Sequence, residues 1–218
     1  MKIGVLGGGA MGAGIAQVAA QAGHQVVLVD IQEEQLSKAM DNLKNGLNKL
    51  VEKGKFTLEQ SHQIVESIQT STSTNAFAGC GLIIEAIVEK LEVKQSVFQQ
   101  LDALLDESVI LATNTSSLSV TAIASVCQHP ERVIGLHFFN PATIMPLVEI
   151  IPAIQTAENL PQQLKDMMIS WKKVPVVAKD WPGFIVNRVA RPYYSEALRI
   201  YDEGLASQPE IDAAMRQA

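Results

Sequence analysis

Three glycines constrain this chain more than any other feature. They stand at positions 7, 9 and 12 of Gly7-Gly-Gly-Ala-Met-Gly12, between an apolar strand-like run, Lys2–Leu6, and a helix-like stretch, Ala10–Ala22. A chain that leaves a strand, turns within a few residues and enters a helix fits the first unit of a parallel α/β sheet. Gly7 permits the tight turn, Gly9 lets a ligand approach the backbone, and Gly12 lets the helix pack close to the strand. The helix start offers free N–H groups and a positive dipole end, a seat for a pyrophosphate. Asp30 ends the next strand-like run, Gln25–Val29, 18 residues after Gly12. An acid there accepts from both hydroxyls of an adenine ribose and repels a 2′-phosphate, which predicts NAD over NADP. The competing reading is a glycine-rich connector with Asp30 as a helix cap.

The same alternation continues to about residue 150. Further strands are predicted at Ile68–Ser71, Leu82–Glu85, Ser108–Ala112, Arg132–His137, Leu147–Ile151 and Val174–Lys179. Helices are predicted at Gln32–Lys53, Leu58–Glu66, Leu91–Leu105, Val120–Val126, Leu160–Lys172 and Phe184–Glu203, with a new element near Pro209. Lys53-Gly-Lys55 reads as the capped end of a solvated helix. The pattern is that of an α/β, Rossmann-type, mainly parallel sheet with helices on both faces. Trp181-Pro-Gly183 marks a boundary, so residues 1–181 are expected to form a nucleotide-binding domain and residues 182–218 the beginning of an all-helical one.

Composition narrows the function. Lys and Arg total 17 against 23 Asp and Glu, a net charge of −6, which disfavours a nucleic-acid partner. No apolar run approaches the ~18 residues of a membrane span, so no membrane partner is expected. Lys2–Leu6 is too short for the apolar core of a signal peptide. Cys80 and Cys127 form neither a disulfide framework nor a metal-ligand spacing. No metal and a cytoplasmic location are expected.

Ligands of open parallel sheets sit beyond the carboxyl ends of the strands. Three polar clusters fall there: Thr113-Asn-Thr-Ser-Ser117, Glu89 with Lys94, and His137-Phe-Phe-Asn140. Plain alternatives exist for each, namely Ser116 as a turn hydroxyl or Ser117 as a helix cap, Glu89 as a helix-dipole partner and His137 as a core histidine. Glu149 shifts the balance, because it lies inside the apolar run Leu147-Val-Glu-Ile-Ile151. A buried unpaired carboxylate costs several kcal/mol, so it needs a partner or must take up a proton; the competing reading puts Glu149 on the exposed side of an edge strand. His137, at the end of a predicted neighbouring strand, is the natural partner. A carboxylate on one ring nitrogen fixes the tautomer and strengthens the other nitrogen as a base.

Together, Gly7–Gly12 with Asp30, Glu85-Ala-Ile-Val-Glu-Lys90, Asn114–Ser117, Gly135–Pro141, Leu147-Val-Glu149 and Pro182-Gly-Phe-Ile-Val-Asn-Arg188 resemble the L-3-hydroxyacyl-CoA dehydrogenases, including the short-chain 3-hydroxybutyryl-CoA form. The resemblance implies NAD-dependent oxidation of a (3S)-3-hydroxyacyl-CoA thioester to the 3-ketoacyl-CoA, as in fatty-acid β-oxidation. Its implied catalytic residues are His137 as base, Glu149 as its orienting partner, and Ser116 and Asn187 on substrate oxygens. Gly7, Gly9, Ala10, Met11, Gly12, Asp30, Glu89, Lys94 and Asn140 match NAD contacts, and Lys53 or Lys55 would meet the CoA phosphates. Two departures stand out. Trp181 stands where the family has a small hydroxyl residue, and the helical domain that the family uses for dimer contacts is expected to be only begun where the sequence reaches Met215-Arg-Gln-Ala218. A homodimer is expected at full length, and poor turnover from a chain cut short there. Lys173-Val-Pro-Val-Val and Arg191-Pro-Tyr-Tyr194 faintly resemble the dehydrogenases of phenylacetate catabolism, which act on 3-hydroxyadipyl-CoA. The alternatives are a free 3-hydroxyacid dehydrogenase and a non-catalytic NAD-binding or structural protein.

Overall fold

A computed structural model describes residues 1–217. The strands are β1 (Lys2–Leu6), β2 (Gln25–Val29), β3 (Ile68–Ser71), β4 (Leu82–Glu85), β5 (Ile110–Thr113), β6 (Val133–Phe138), β7 (Leu147–Pro152) and β8 (Val174–Val177). The helices are α1 (Ala10–Gln21), α2 (Glu33–Glu52), α3 (Leu58–Glu66), α4 (Leu91–Leu104), α5 (Val120–Ala124), α6 (Leu160–Ser170), α7 (Val186–Asp202) and α8 (Gln208–Gln217). Short 3₁₀ turns occupy Thr74–Phe77 and Pro130–Arg132.

All eight strands form one sheet in the order β3-β2-β1-β4-β5-β6-β7-β8, parallel throughout except for the antiparallel β6–β7 pair. Alternate residues feed opposite layers: Val26 and Leu28 join the core with Ile15, Leu36 and Leu164, while Val27 and Val29 join the core with Phe98, Leu101 and Ile123. Both faces are therefore covered, which is why the central strands carry unbroken apolar runs. The chain winds outward from β1 to β3, then returns to place β4 on the other side of β1. That reversal opens a crevice beyond the carboxyl ends of β1 and β4.

Local chemistry sets the ends of the elements. Gly54 has φ +69°, and the Lys55 and Gly54 N–H groups donate to Leu50 and Val51 carbonyls, closing α2 as the Lys53-Gly-Lys55 pattern predicts. Strand β5 begins at Ile110 rather than Ser108, because Asp106 draws the Ser108 and Val109 N–H groups into a turn. Strand β6 begins one residue later than predicted, after the Pro130–Arg132 turn. The cap of α5 is Ser119, not Ser117, and Asp180 accepts from the Val120 and Thr121 N–H groups of the same helix start. Helix α7 buries none of its residues, leaving Val189, Tyr194 and Leu198 exposed. Ala218, the last residue of the predicted helical segment, lies outside the described residues. Among the described residues no helix is long and apolar enough to cross a membrane.

Candidate active site

The glycine turn has the geometry its spacing demands. Gly7 has φ +113°, and a Cβ there would meet the Ala86 carbonyl oxygen at 2.5 Å. A Cβ on Gly12 would lie 1.8 Å from the Gly7 carbonyl oxygen. Gly9 differs: a Cβ there would meet nothing within 4 Å, so the turn faces open space. No side chain caps α1 at Gly9, and its first N–H groups remain free to meet an anion. Beside this turn is a cavity of about 450 Å³, walled by Ile31, Ile87, Val93 and Val97, with Asp30 at its edge. Asp30 accepts from the Gly8 N–H at 2.7 Å and the Gln32 N–H at 2.9 Å. Those two bonds hold the carboxylate at the mouth of a nucleotide-sized, mostly apolar space. The residues present fit an adenine dinucleotide.

A second cleft, of about 410 Å³, adjoins it and is lined by Met11, Glu89, Lys94, Asn114, Ser116, His137, Phe139, Asn140, Asn187 and Arg191. His137 and Glu149 are direct cross-strand partners in the antiparallel β6–β7 pair, so their side chains leave the same face of the sheet. His137 Nδ1 lies 2.8 Å from Glu149 Oε2, with Glu149 fully buried and His137 nearly so. A carboxylate can only accept, so Nδ1 carries the hydrogen and Nε2 keeps a lone pair. The second carboxylate oxygen, Oε1, accepts from the backbone N–H groups of Ile185 and Val186, at 3.0 and 2.9 Å. Glu149 therefore ties the imidazole to the first turn of α7, two residues before Asn187. Gly183 and Phe184, with φ +78° and +48°, make the sharp entry to that helix. A left-handed Phe costs roughly 1–2 kcal/mol. Its buried ring, 5.8 Å from the His137 ring, and the hydrogen bonds to Glu149 hold it there. Phe139 packs on the imidazole at 4.5 Å, so two aromatic rings shield it from water.

The polar wall opposite is built around two acids. Glu85, fully buried at the end of β4, accepts from Lys94 Nζ at 2.5 Å, from the Thr113 hydroxyl at 2.7 Å and from the Ile87 N–H at 2.8 Å. Glu89 accepts from the Thr115 hydroxyl at 2.6 Å and the Ser116 N–H at 2.9 Å, with Lys94 Nζ 3.3 Å away. Burial pushes the Glu89 carboxyl up, but Thr115, Ser116 and Lys94 outweigh it and hold the group below the usual carboxylate range. Asn187 Nδ2 donates to the Ser116 carbonyl at 3.2 Å, closing the cleft between α7 and the loop after β5.

The structure thus gathers His137, Glu149, Ser116, Asn187, Glu89 and Asn140 around one cleft, with Gly7, Gly9 and Asp30 at the neighbouring one. Lys94 lines the cleft, but as a buried partner of Glu85 rather than a free cation. Lys53 and Lys55 are exposed in the turn between α2 and α3, and neither lines either cavity. Residues quoted in motifs but given no site role from the sequence are Glu85; Asn114, whose Oδ1 accepts from the Phe138 N–H at 2.8 Å; and Arg191. Glu85 stood in a quoted motif, and its place in an apolar strand gave the same signal as Glu149.

Comparison with known proteins decides the family. The sequence profile described as "3-hydroxyacyl-CoA dehydrogenase, NAD binding domain" matches residues 2–181. The chain belongs to the 3-hydroxyacyl-CoA dehydrogenase family. The profile of that family's C-terminal domain matches residues 183–218. The 3-hydroxyadipyl-CoA dehydrogenase of Escherichia coli is 49% identical over 98% of this chain and 45% of its own length. The human mitochondrial hydroxyacyl-coenzyme A dehydrogenase is 45% identical over 97% of this chain and 69% of its own length. The crystal structure of (S)-3-hydroxybutyryl-CoA dehydrogenase from Ralstonia eutropha superposes with a TM-score of 0.96, at 38% identity, over 99% of this chain and 76% of that one. The chain therefore spans less than half of the E. coli relative and about seven-tenths of the human one. In this dehydrogenase family NAD is the cofactor, and the cavity beside Gly7–Gly12 lies within the matched NAD-binding segment.

Proposed function

We propose that the protein oxidises a (3S)-3-hydroxyacyl-CoA to the 3-ketoacyl-CoA, with His137 as the general base. The 2.8 Å pair between His137 Nδ1 and fully buried Glu149 carries this reading. Its Nε2 lone pair takes the C3 hydroxyl proton as the C3–H bond breaks and the carbonyl forms. Bound NAD supplies the acceptor for the hydride leaving C3. Glu149 holds the imidazole in this tautomer and stabilises the imidazolium that results. The Ser116 hydroxyl and the second hydrogen of Asn187 Nδ2 are donors for the C3 oxygen and the thioester carbonyl. Phe139 and Phe184 keep water from the imidazole, which strengthens each of these interactions. In the reverse direction His137 returns the proton.

Asp30 favours NAD over NADP by repelling a 2′-phosphate. Glu89 and Asn140 line the cleft and would hold the nicotinamide end of NAD, and exposed Lys53 and Lys55 offer charges for the CoA phosphates. The domain boundary falls at residues 181 and 182, where the left-handed turn at Gly183 leads into α7. The exposed apolar side chains of α7 support a homodimer, and free Cys80 and Cys127 suit the reducing cytoplasm.

The test is NAD reduction with (3S)-3-hydroxybutyryl-CoA, its (3R) isomer and free 3-hydroxybutyrate. Turnover of the (3S) thioester alone is expected. Preference for the free acid would favour the free-acid dehydrogenase, and NAD binding without reduction of any of the three would favour a non-catalytic protein.

A further inference from the structure

The cleft wall formed by Glu89 and Lys94 continues inward to Glu85, an acid that lines neither cavity. Lys94 Nζ lies between the two carboxylates, 2.5 Å from Glu85 and 3.3 Å from Glu89. The Thr113 hydroxyl donates to Glu85 at 2.7 Å, its oxygen accepts from the Thr115 N–H at 3.2 Å, and the Thr115 hydroxyl donates to Glu89 at 2.6 Å. Glu85, Lys94, Thr113 and Thr115 are all buried, so the two acids and the ammonium form one fixed unit. Two carboxylates and one ammonium sum to −1. Glu89 alone is within reach of Lys94, so the ammonium does not need Glu85 as a second partner. Burying another charge is costly, and its net effect is to leave the wall negative.

The two cavities share Ala86 and Ile87, the residues that follow Glu85. A dinucleotide with its adenosine beside Asp30 therefore reaches the cleft across Ala86 and Ile87. Its nicotinamide must face the substrate C3, whose hydroxyl we place on His137, in the cleft that Glu89 and Lys94 line. The nicotinamide ring is a cation in NAD and neutral in NADH, so a nearby buried charge acts on the two forms differently. We propose that Glu85 is a positioning residue for the cofactor: it offsets the Lys94 charge, keeps the wall negative and favours the cationic ring of NAD over the neutral ring of NADH. Once the hydride from C3 has neutralised the ring, that attraction is gone and release of NADH is eased. This rests on the NAD-dependent reading of the site given above.

The readout is the ratio of the NAD and NADH dissociation constants, measured by calorimetry without substrate. In Glu85→Gln the ratio should shift toward NADH on the order of tenfold, the effect of a unit charge about 10 Å away at an effective dielectric constant of about 20. Glu85→Asp keeps the charge, so its ratio should stay within about twofold of the parent while both affinities fall. A merely structural role would weaken both forms alike, and an unchanged ratio in Glu85→Gln would overturn the proposal. So would equal shifts in Glu85→Gln and Glu85→Asp. Glu89→Gln is the second arm, because Glu89 is partly exposed and its replacement leaves no buried gap. It removes a charge from the same unit and should shift the ratio the same way. No shift there would overturn the proposal whether or not Glu85→Gln folds. Failure of the unaltered protein to bind either form would overturn the NAD reading beneath it.

Discussion

Replacing Glu149 by Gln changes one atom and should remove nearly all turnover. The carboxylate accepts three hydrogen bonds: from His137 Nδ1 at 2.8 Å on one oxygen, and from the Ile185 and Val186 N–H groups at 3.0 and 2.9 Å on the other. A Gln amide has one accepting oxygen and one donating nitrogen. If the nitrogen faced the two backbone N–H groups, donors would oppose donors and two buried groups would lose their partner. The amide oxygen therefore turns to Ile185 and Val186, and the amide NH₂ faces His137 Nδ1. Nδ1 must then accept, and the hydrogen moves to Nε2. The imidazole remains in place, but the nitrogen offered to the substrate no longer has a lone pair. The expected loss in kcat is on the order of 10³-fold, inside the 10²–10⁴ range of general-base catalysis, or about 4 kcal/mol of barrier. Removing the charge from the N-terminus of α7 should cost folding stability only about 1 kcal/mol. The assay is steady-state NADH formation from (3S)-3-hydroxybutyryl-CoA, with NAD affinity by calorimetry as the control on folding. A variant with NAD affinity intact and kcat within threefold of the parent would refute the tautomer argument.

Asp30→Ala should narrow the preference for NAD over NADP, measured as the ratio of the two dissociation constants; a parent protein that binds both equally would refute the role given to Asp30. Folding stability should fall as pH drops through about 6.5, because burial and the N-terminal ammonium lower the His24 pKa while Trp171 Nε1 donates to neutral His24 Nε2 at 2.8 Å. The sign follows from the folded protein binding fewer protons than the unfolded chain between the two pKa values. Urea midpoints at about pH 8 and about pH 5.5 should differ more in the parent than in His24→Gln, and equal slopes would refute the pairing.

Where backbone geometry alone sets the requirement, the sequence was legible. Gly7 and Gly12 sit where any Cβ would strike a carbonyl oxygen, so their spacing pointed directly to the turn and its helix. Glu149 was legible because a carboxylate inside an apolar strand demands a partner, and the β6–β7 register places His137 directly opposite. The second task of Glu149, capping α7 from 36 residues away, had no local trace. The burial of Lys94 against Glu85 had no local trace for the same reason, since only the tertiary fold brings the two together. Ser119 and Asp180 share the start of α5, a cap assembled from 61 residues apart, whereas Ser117 was merely the nearer hydroxyl. Arg191 stood in a run noted for its resemblance, but helical periodicity does not say which face of α7 meets the cleft.

The central claim is that His137 takes the substrate proton. It is tested most directly by rapid mixing of NAD-saturated protein with (3S)-3-hydroxybutyryl-CoA, comparing single-turnover NADH formation in the parent and in His137→Gln. The account predicts a rate lower by at least about 10²-fold, with NAD affinity unchanged because His137 stands outside the cavity beside the glycine turn. NADH formation at the parent rate in His137→Gln would contradict it.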